Sequence, residues 1–164
     1  MHQIKQNFLS PVSFSFEILR LPHVNFFVQK VSIPGVNMSA VEQPSPFKSI
    51  YRPGDKIEYD DISLSFKVDE EMANYQELMG WMVGMTFPKN FRQYANLVDG
   101  DGLYSDASLI IMSSGKNPNI LIKMEDVFPT SLSGIDMDAM ESDVVAPTCQ
   151  VTFKVNQLSF ENIS

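Results

Sequence analysis

Hydrophobic and polar positions alternate most cleanly in two stretches. Val12, Phe14, Phe16 and Ile18 interleave with Ser13, Ser15 and Glu17, and Ile62, Leu64, Phe66 and Val68 interleave with Ser63, Ser65 and Lys67. A period of two is the mark of a strand with one buried face. Val24–Ile33 reads as a further strand, apolar on both faces, and after the Pro34-Gly35 turn signal another strand is expected to about Val41. Ala107–Met112 and Ile120–Glu125 predict a hairpin across Gly115–Asn119. A closing strand is expected over Thr148–Phe160, with Val151, Phe153 and Val155 inward; the phase then slips at Asn156-Gln157, which predicts a bulge or bend.

The period changes after Lys67. Met72, Tyr75, Leu78, Met79 and Met82 recur at spacings of three and four, which predicts an amphipathic helix over about 70–83 packed through those five side chains. Asp69 stands where an N-cap belongs, with Glu70 and Glu71 in a first turn whose dipole favours negative charge. A shorter helix is expected within Phe87–Val98. The chain is therefore expected to be mainly β: two packed antiparallel sheets, a sandwich or partly closed barrel, with one flanking α-helix.

Glu42–Arg52 has no periodicity, carries Pro44 and Pro46, and yet holds Phe47, Ile50 and Tyr51. Large apolar side chains on a loop stiffened by proline suggest an interface. Residues 42–59 are accordingly expected to be an assembly loop, with Pro46, Phe47, Ile50, Tyr51 and Asp55 as its contact residues.

Composition narrows the function. The 164 residues suit one domain, preceded by a short arm at 1–10, and the apolar runs are too short to span a bilayer. A net charge of −8 speaks against ordinary nucleic-acid binding, which needs cations to replace phosphate counterions. Cys149 is the lone cysteine, expected as a buried structural thiol. The two histidines, His2 and His23, have no catalytic setting, and no nucleophile elbow or phosphate-binding glycine loop is present. Asp99-x-Asp101 and Asp136-x-Asp138 lack the remaining ligands of a calcium loop and are expected to be turns. Asp60 and Asp61 are adjacent in an extended segment, so their carboxylates should point to opposite faces. No enzymatic activity, metal or cofactor is expected.

The layout resembles the tail-tube proteins of contractile-tailed bacteriophages, which share their architecture with the type VI secretion tube protein. The resemblance rests on Pro53-Gly54-Asp55, the Asp60-Asp61 strand and the helix ending near Trp81. Further along it rests on Ile120–Val127, a Phe128-Pro129-Thr130 turn, the acidic Asp136–Asp143 loop and the Gln150–Phe160 strand. It implies hexameric rings stacked into a tube that joins strands of each subunit in an inner barrel and passes DNA during ejection, and it makes the 42–59 loop, with Pro46, Phe47, Ile50, Tyr51 and Asp55, a ring-to-ring contact. Ser13, Ser15, Glu17, Ser63, Ser65, Lys67, Thr152 and Lys154, on the polar strand faces, are then the candidate lumen residues. The implied partners are further copies of the chain, the tail sheath, the baseplate and tape-measure proteins and viral DNA in transit. The implied location is the virion tail, with host cytoplasm during assembly. A baseplate or tail-end ring that starts or caps the tube, a type VI tube protein and an unrelated β-domain that binds a ligand remain open alternatives.

Overall fold

The computed structural model describes residues 8–100, 102–140 and 145–163. Of the residues singled out above, His2, Asp101 and Asp143 lie outside that set, as does most of the terminal arm.

Among the described residues, nine strands and three helices follow in the order β1 (Phe14–Ile18), α1 (Pro22–Phe27), β2 (Val28–Val31), β3 (Val36–Gln43), β4 (Ile50–Tyr59), β5 (Ile62–Lys67), α2 (Ala73–Thr86), α3 (Phe91–Asp99), β6 (Ser105–Met112), β7 (Pro118–Leu132), β8 (Thr148–Lys154) and β9 (Gln157–Asn162). The architecture is mainly β with two antiparallel sheets, and the described residues form no closed barrel. The main strand path runs β1-β6-β7-β8-β5-β2, with β9 also on β7. The long strand β7 joins its two halves. Its first part pairs with β6 and β9, and Phe128–Leu132 pairs with β8. Where the β6 register shifts near the end of the first part, Asp126 adopts a positive φ of 55°.

The core gathers the inward positions of these strands. Phe16, Ile18, Ile62, Leu64, Phe66, Leu109, Ile122, Met124, Val151 and Phe153 are all buried. Alternation placed most of these residues correctly, but Val12 precedes β1 and is 84% exposed rather than inward.

Four local expectations are corrected. The segment expected as one strand over Val24–Ile33 begins as α1, and only Val28–Val31 is extended. Proline suits an early helical position because its missing N–H would lack an intrahelical partner anyway. Asn25 then fixes the short helix to β1, donating from Nδ2 to the Ile18 carbonyl (2.9 Å) and accepting the Ile18 N–H at Oδ1 (2.8 Å). At the other end of the chain, the expected closing strand is two strands. The polar pair where the phase slips is where β8 ends and the chain turns into β9.

Phe128-Pro129-Thr130 is no turn: it continues β7, and Pro129 is accommodated beside a register irregularity with β8. The fourth correction concerns the start of α2. Asp69 is not its N-cap; Met72 is, in left-handed conformation (φ 55°), and the helix runs on to Thr86. The organiser is Asn74, fully buried, whose Nδ2 donates to the Lys67 carbonyl (2.8 Å) while Oδ1 accepts from the Tyr75 N–H (2.8 Å). A polar side chain that ties β5 to the helix displaces the cap by three residues. The second helix appears as α3, close to where it was expected.

Candidate assembly interface

Within the segment 42–59 expected as an assembly loop, Ile50–Tyr59 is a strand, β4, which pairs antiparallel with β3, itself expected as a strand to about Val41, in a two-stranded ribbon separate from the main sheet. Its foot is fastened by a cluster around Asp60. The Asp60 N–H donates to the Gly35 carbonyl (2.9 Å), and Asn37 Nδ2 donates to Asp60 Oδ1 (2.7 Å). Halfway out the register slips between Met38 and Ala40, where β4 passes so close to Ser39 that a Cβ on Gly54 would collide with the Ser39 backbone. Pro53-Gly54-Asp55 is therefore the bulge of a ribbon, and glycine is the residue that fits it.

The ribbon has almost no support from its own chain. Every residue of β3 is exposed, as is all of β4 except Gly54 and Tyr59. Val36 faces Tyr59 and Met38 faces Ile57, so one face near the foot is apolar, while Asn37 and Glu58 share the other. At the tip, Pro44 and Pro46 lead from β3 into the turn, Phe47 is 99% exposed, and Ile50 and Tyr51 are exposed behind it. A two-stranded hairpin is marginal alone in water. Its apolar face and aromatic tip are left open by its own chain.

The candidate lumen residues do not form one surface. Ser15 and Glu17 are exposed on β1, whose pairing partner is β6; Ser13 immediately precedes that strand. Ser63, Ser65 and Lys67 lie on β5, next to Thr152 and Lys154 on β8, with Ser63 directly opposite Thr152 and Ser65 opposite Gln150. Those five, with Thr148 and Gln150, make a continuous outer face of small or flexible polar side chains. Its charges are partly neutralised: Lys154 Nζ pairs with Asp61, and the hydrogen bond to Asp61, then the Asp61 charge, raise the Lys154 pKa. Asp60 and Asp61 are the link between β4 and β5 rather than part of a strand, and there Asp60 turns to Asn37 and Asp61 to Lys154, so the two carboxylates serve different partners.

α2 packs differently from its expected stripe. Asn74, Leu78, Trp81 and Gly84 are the buried positions, Met72, Tyr75 and Met82 are half-buried, and Met79 is 53% exposed. Trp81 anchors the helix: its Nε1 donates to the Leu103 carbonyl (3.1 Å), its ring lies 6.3 Å from Phe153, and the Arg20 guanidinium sits 5.2 Å above it. α1 meets α2 through His23, whose Nδ1 hydrogen-bonds Glu77 Oε1. That bond and the Glu77 charge, helped by Asp69 and Glu71, raise the His23 pKa above its ordinary value. His23 is thus a helix-to-helix tie.

Cys149 is buried, with Sγ 3.2 Å from Ser133 Oγ, as a packed structural thiol should be. No cluster of three or more metal-ligating side chains occurs among the described residues. No helix among them is long and apolar enough to cross a membrane. Sequence reasoning missed Asn74 and the ribbon pairing. An asparagine five residues after Asp69 was the available sign of the first; the proline content hid the second.

Among known proteins, the tail tube terminator protein of Enterobacteria phage T4 is 24% identical over 171 aligned positions, covering 98% of this chain and 95% of that protein. Among solved structures, the sheath/tube terminator of the PVC extracellular contractile injection system superposes with a TM-score of 0.65 at 16% identity, covering 96% and 99% of the two chains. The tube-terminating cap of the anti-feeding prophage gives 0.62 at 15% identity, covering 99% and 96%. The PVC sheath-tube complex also gives 0.62, at 13% identity over 96% and 94%. These likenesses show a shared fold. Residues 3–161 match the sequence model of the phage tail tube proteins, and the chain belongs to that family.

Proposed function

We propose that this chain forms a hexameric ring at the terminating end of a virion tail tube, coaxial with the tube channel that viral DNA crosses. The observation that carries an assembly role is the unsupported β3–β4 ribbon, with its apolar face and its exposed Phe47 tip. The end-to-end similarity to a tail tube terminator favours the end of the tube over its repeating body. The likeness to a sheath-tube complex supports the second reading, a repeating tube subunit.

The channel wall is the outer face of β5 and β8, with Ser63, Ser65, Lys67, Thr152 and Lys154. Its sheet has four strands in the order β7-β8-β5-β2, and among the described residues β2 and the Phe128–Leu132 part of β7 each pair on one side only. An even number of antiparallel strands lets the β2 of one copy run antiparallel to the β7 of the next, which removes both edges on closure. Ser and Thr side chains give a polyanion little to grip. Ser13, Ser15 and Glu17 on the β1 side stand outside that wall. Tail partners, including sheath and neighbouring tail components, meet the remaining surfaces.

Electron microscopy of purified protein tests the reading: single rings that do not stack support a terminator, tubes support the repeating subunit, and a strict monomer at high concentration removes both. Phe47→Ser with Ile50→Ser should leave a folded protein that no longer assembles, whereas unfolding would place the tip in the core.

A further inference from the structure

The outer face of the β7-β8-β5-β2 sheet carries a positive charge that the sequence pattern hid. Glu17, the acid among the candidate lumen residues, stands on β1 and off that face. The register adds a cation instead: β2 pairs Lys30 with Ser65, so the two side chains share one side of the sheet. Lys67 lies two residues along β5 from Ser65, on that same side and roughly 7–8 Å from Lys30 as its diagonal neighbour. The pairing is held just past the end of β2. There the Ser32 N–H donates to the Ser63 carbonyl (2.9 Å) and Ser32 Oγ accepts from the Ser63 N–H (2.7 Å).

Among the described residues neither Lys30 nor Lys67 joins an ion pair, whereas Lys154 is paired with Asp61. Two like charges within one screening length, about 8 Å at physiological salt, repel each other until an anion lies across them. The other outward positions of β5 and β8, apart from Lys154, are Ser63, Ser65, Thr148, Gln150 and Thr152, all neutral and none apolar. A protein segment would find no hydrophobic anchor there, whereas a phosphate backbone needs only charge. We propose that Lys30 and Lys67 form a phosphate-binding band in the channel wall, where the ring holds duplex DNA rather than only letting it pass. This rests on the ring reading above and on its assignment of the β5–β8 face to the channel. Repetition around the ring sets the band at one level, and the neutral Ser and Thr positions beside it leave the DNA free to slide. The contact reads backbone charge and carries no sequence preference.

Preformed rings and a random-sequence DNA duplex test it. Linear duplex should bind at low salt, and a covalently closed minicircle of the same sequence should not, because only a free end threads a closed channel. Lys67→Gln removes one cation per copy. In a ring of six the slope of log affinity against log salt should then shrink by up to about five, with affinity at low salt down at least about tenfold. Lys67→Arg should keep both. Lys30→Gln should act as Lys67→Gln does; if it weakens the ring itself, since β2 is an edge strand, Lys67→Gln on the interior strand β5 decides. Lys67→Gln rings that hold linear duplex as tightly as unaltered rings overturn the band and leave the ring reading intact, as do unaltered rings that bind no duplex. Equal binding of minicircle and linear duplex puts the lysines outside the channel and overturns the band together with the wall assignment. Polyglutamate that binds as tightly as the duplex would assign the face to an acidic protein segment and overturn it too. If the unaltered chain stays monomeric at every concentration, the ring reading falls and the band with it.

Discussion

Leu78 is the sharpest test of how α2 is held. Its side chain is 0% exposed, and the helix anchors Trp81 and Asn74 lie on the same buried side. Truncation to Ala removes three buried carbons and leaves a void beside a β-sheet core that has little freedom to collapse. Leu-to-Ala changes at such sites cost about 2–5 kcal/mol. For a domain of this size each kcal/mol is about 2–4 °C in Tm, so Leu78→Ala should lower the midpoint by roughly 4–20 °C. Met79 follows it in sequence, yet is 53% exposed, and Met79→Ala should stay within about 0.5 kcal/mol. Urea denaturation at a concentration low enough to keep the protein monomeric would compare the two. The slope should be unchanged and only the midpoint should move. Equal losses at both positions would refute the packing described, since they would mean that the helix buries the other flank. A loss near zero at Leu78 would be just as damaging.

Three further outcomes are expected. Asn74→Ala should cost about 1–3 kcal/mol in the same assay, because it leaves the part-buried Lys67 carbonyl and Tyr75 N–H without their partner. His23 has a folded-state pKa raised by Glu77, so its contribution is fully present below the ordinary imidazole pKa and is lost as pH rises through the raised value. The Tm difference between the unaltered protein and His23→Gln should shrink across that window, and a difference independent of pH would remove the tie. Ser63→Arg with Ser65→Arg should leave assembly intact but slow DNA ejection, most strongly at low salt, through new phosphate contacts; normal ejection at every salt concentration would put the β5 face elsewhere.

Much of the fold follows from the sequence alone, because a period of two commits a strand to one face whatever it pairs with. β1, β5 and β8 were placed by that rule, as was the existence of α2 by its period of three to four. Tertiary structure decided what local pattern leaves free. Leu78 and Met79 are equally hydrophobic neighbours, and only the docking of Trp81 against Phe153 chooses which is buried. Asp69 is a better cap than Met72 by propensity, but the buried Asn74 bonds to Lys67 outweigh it. The apolar content of 42–59 was legible in sequence, whereas the pairing of β4 with β3 depends on a partner strand that prolines disguise. The polar strand faces were equally readable, yet nothing local told β1 from β5. Their separation onto different pairings is a property of strand order, which long-range pairing alone creates.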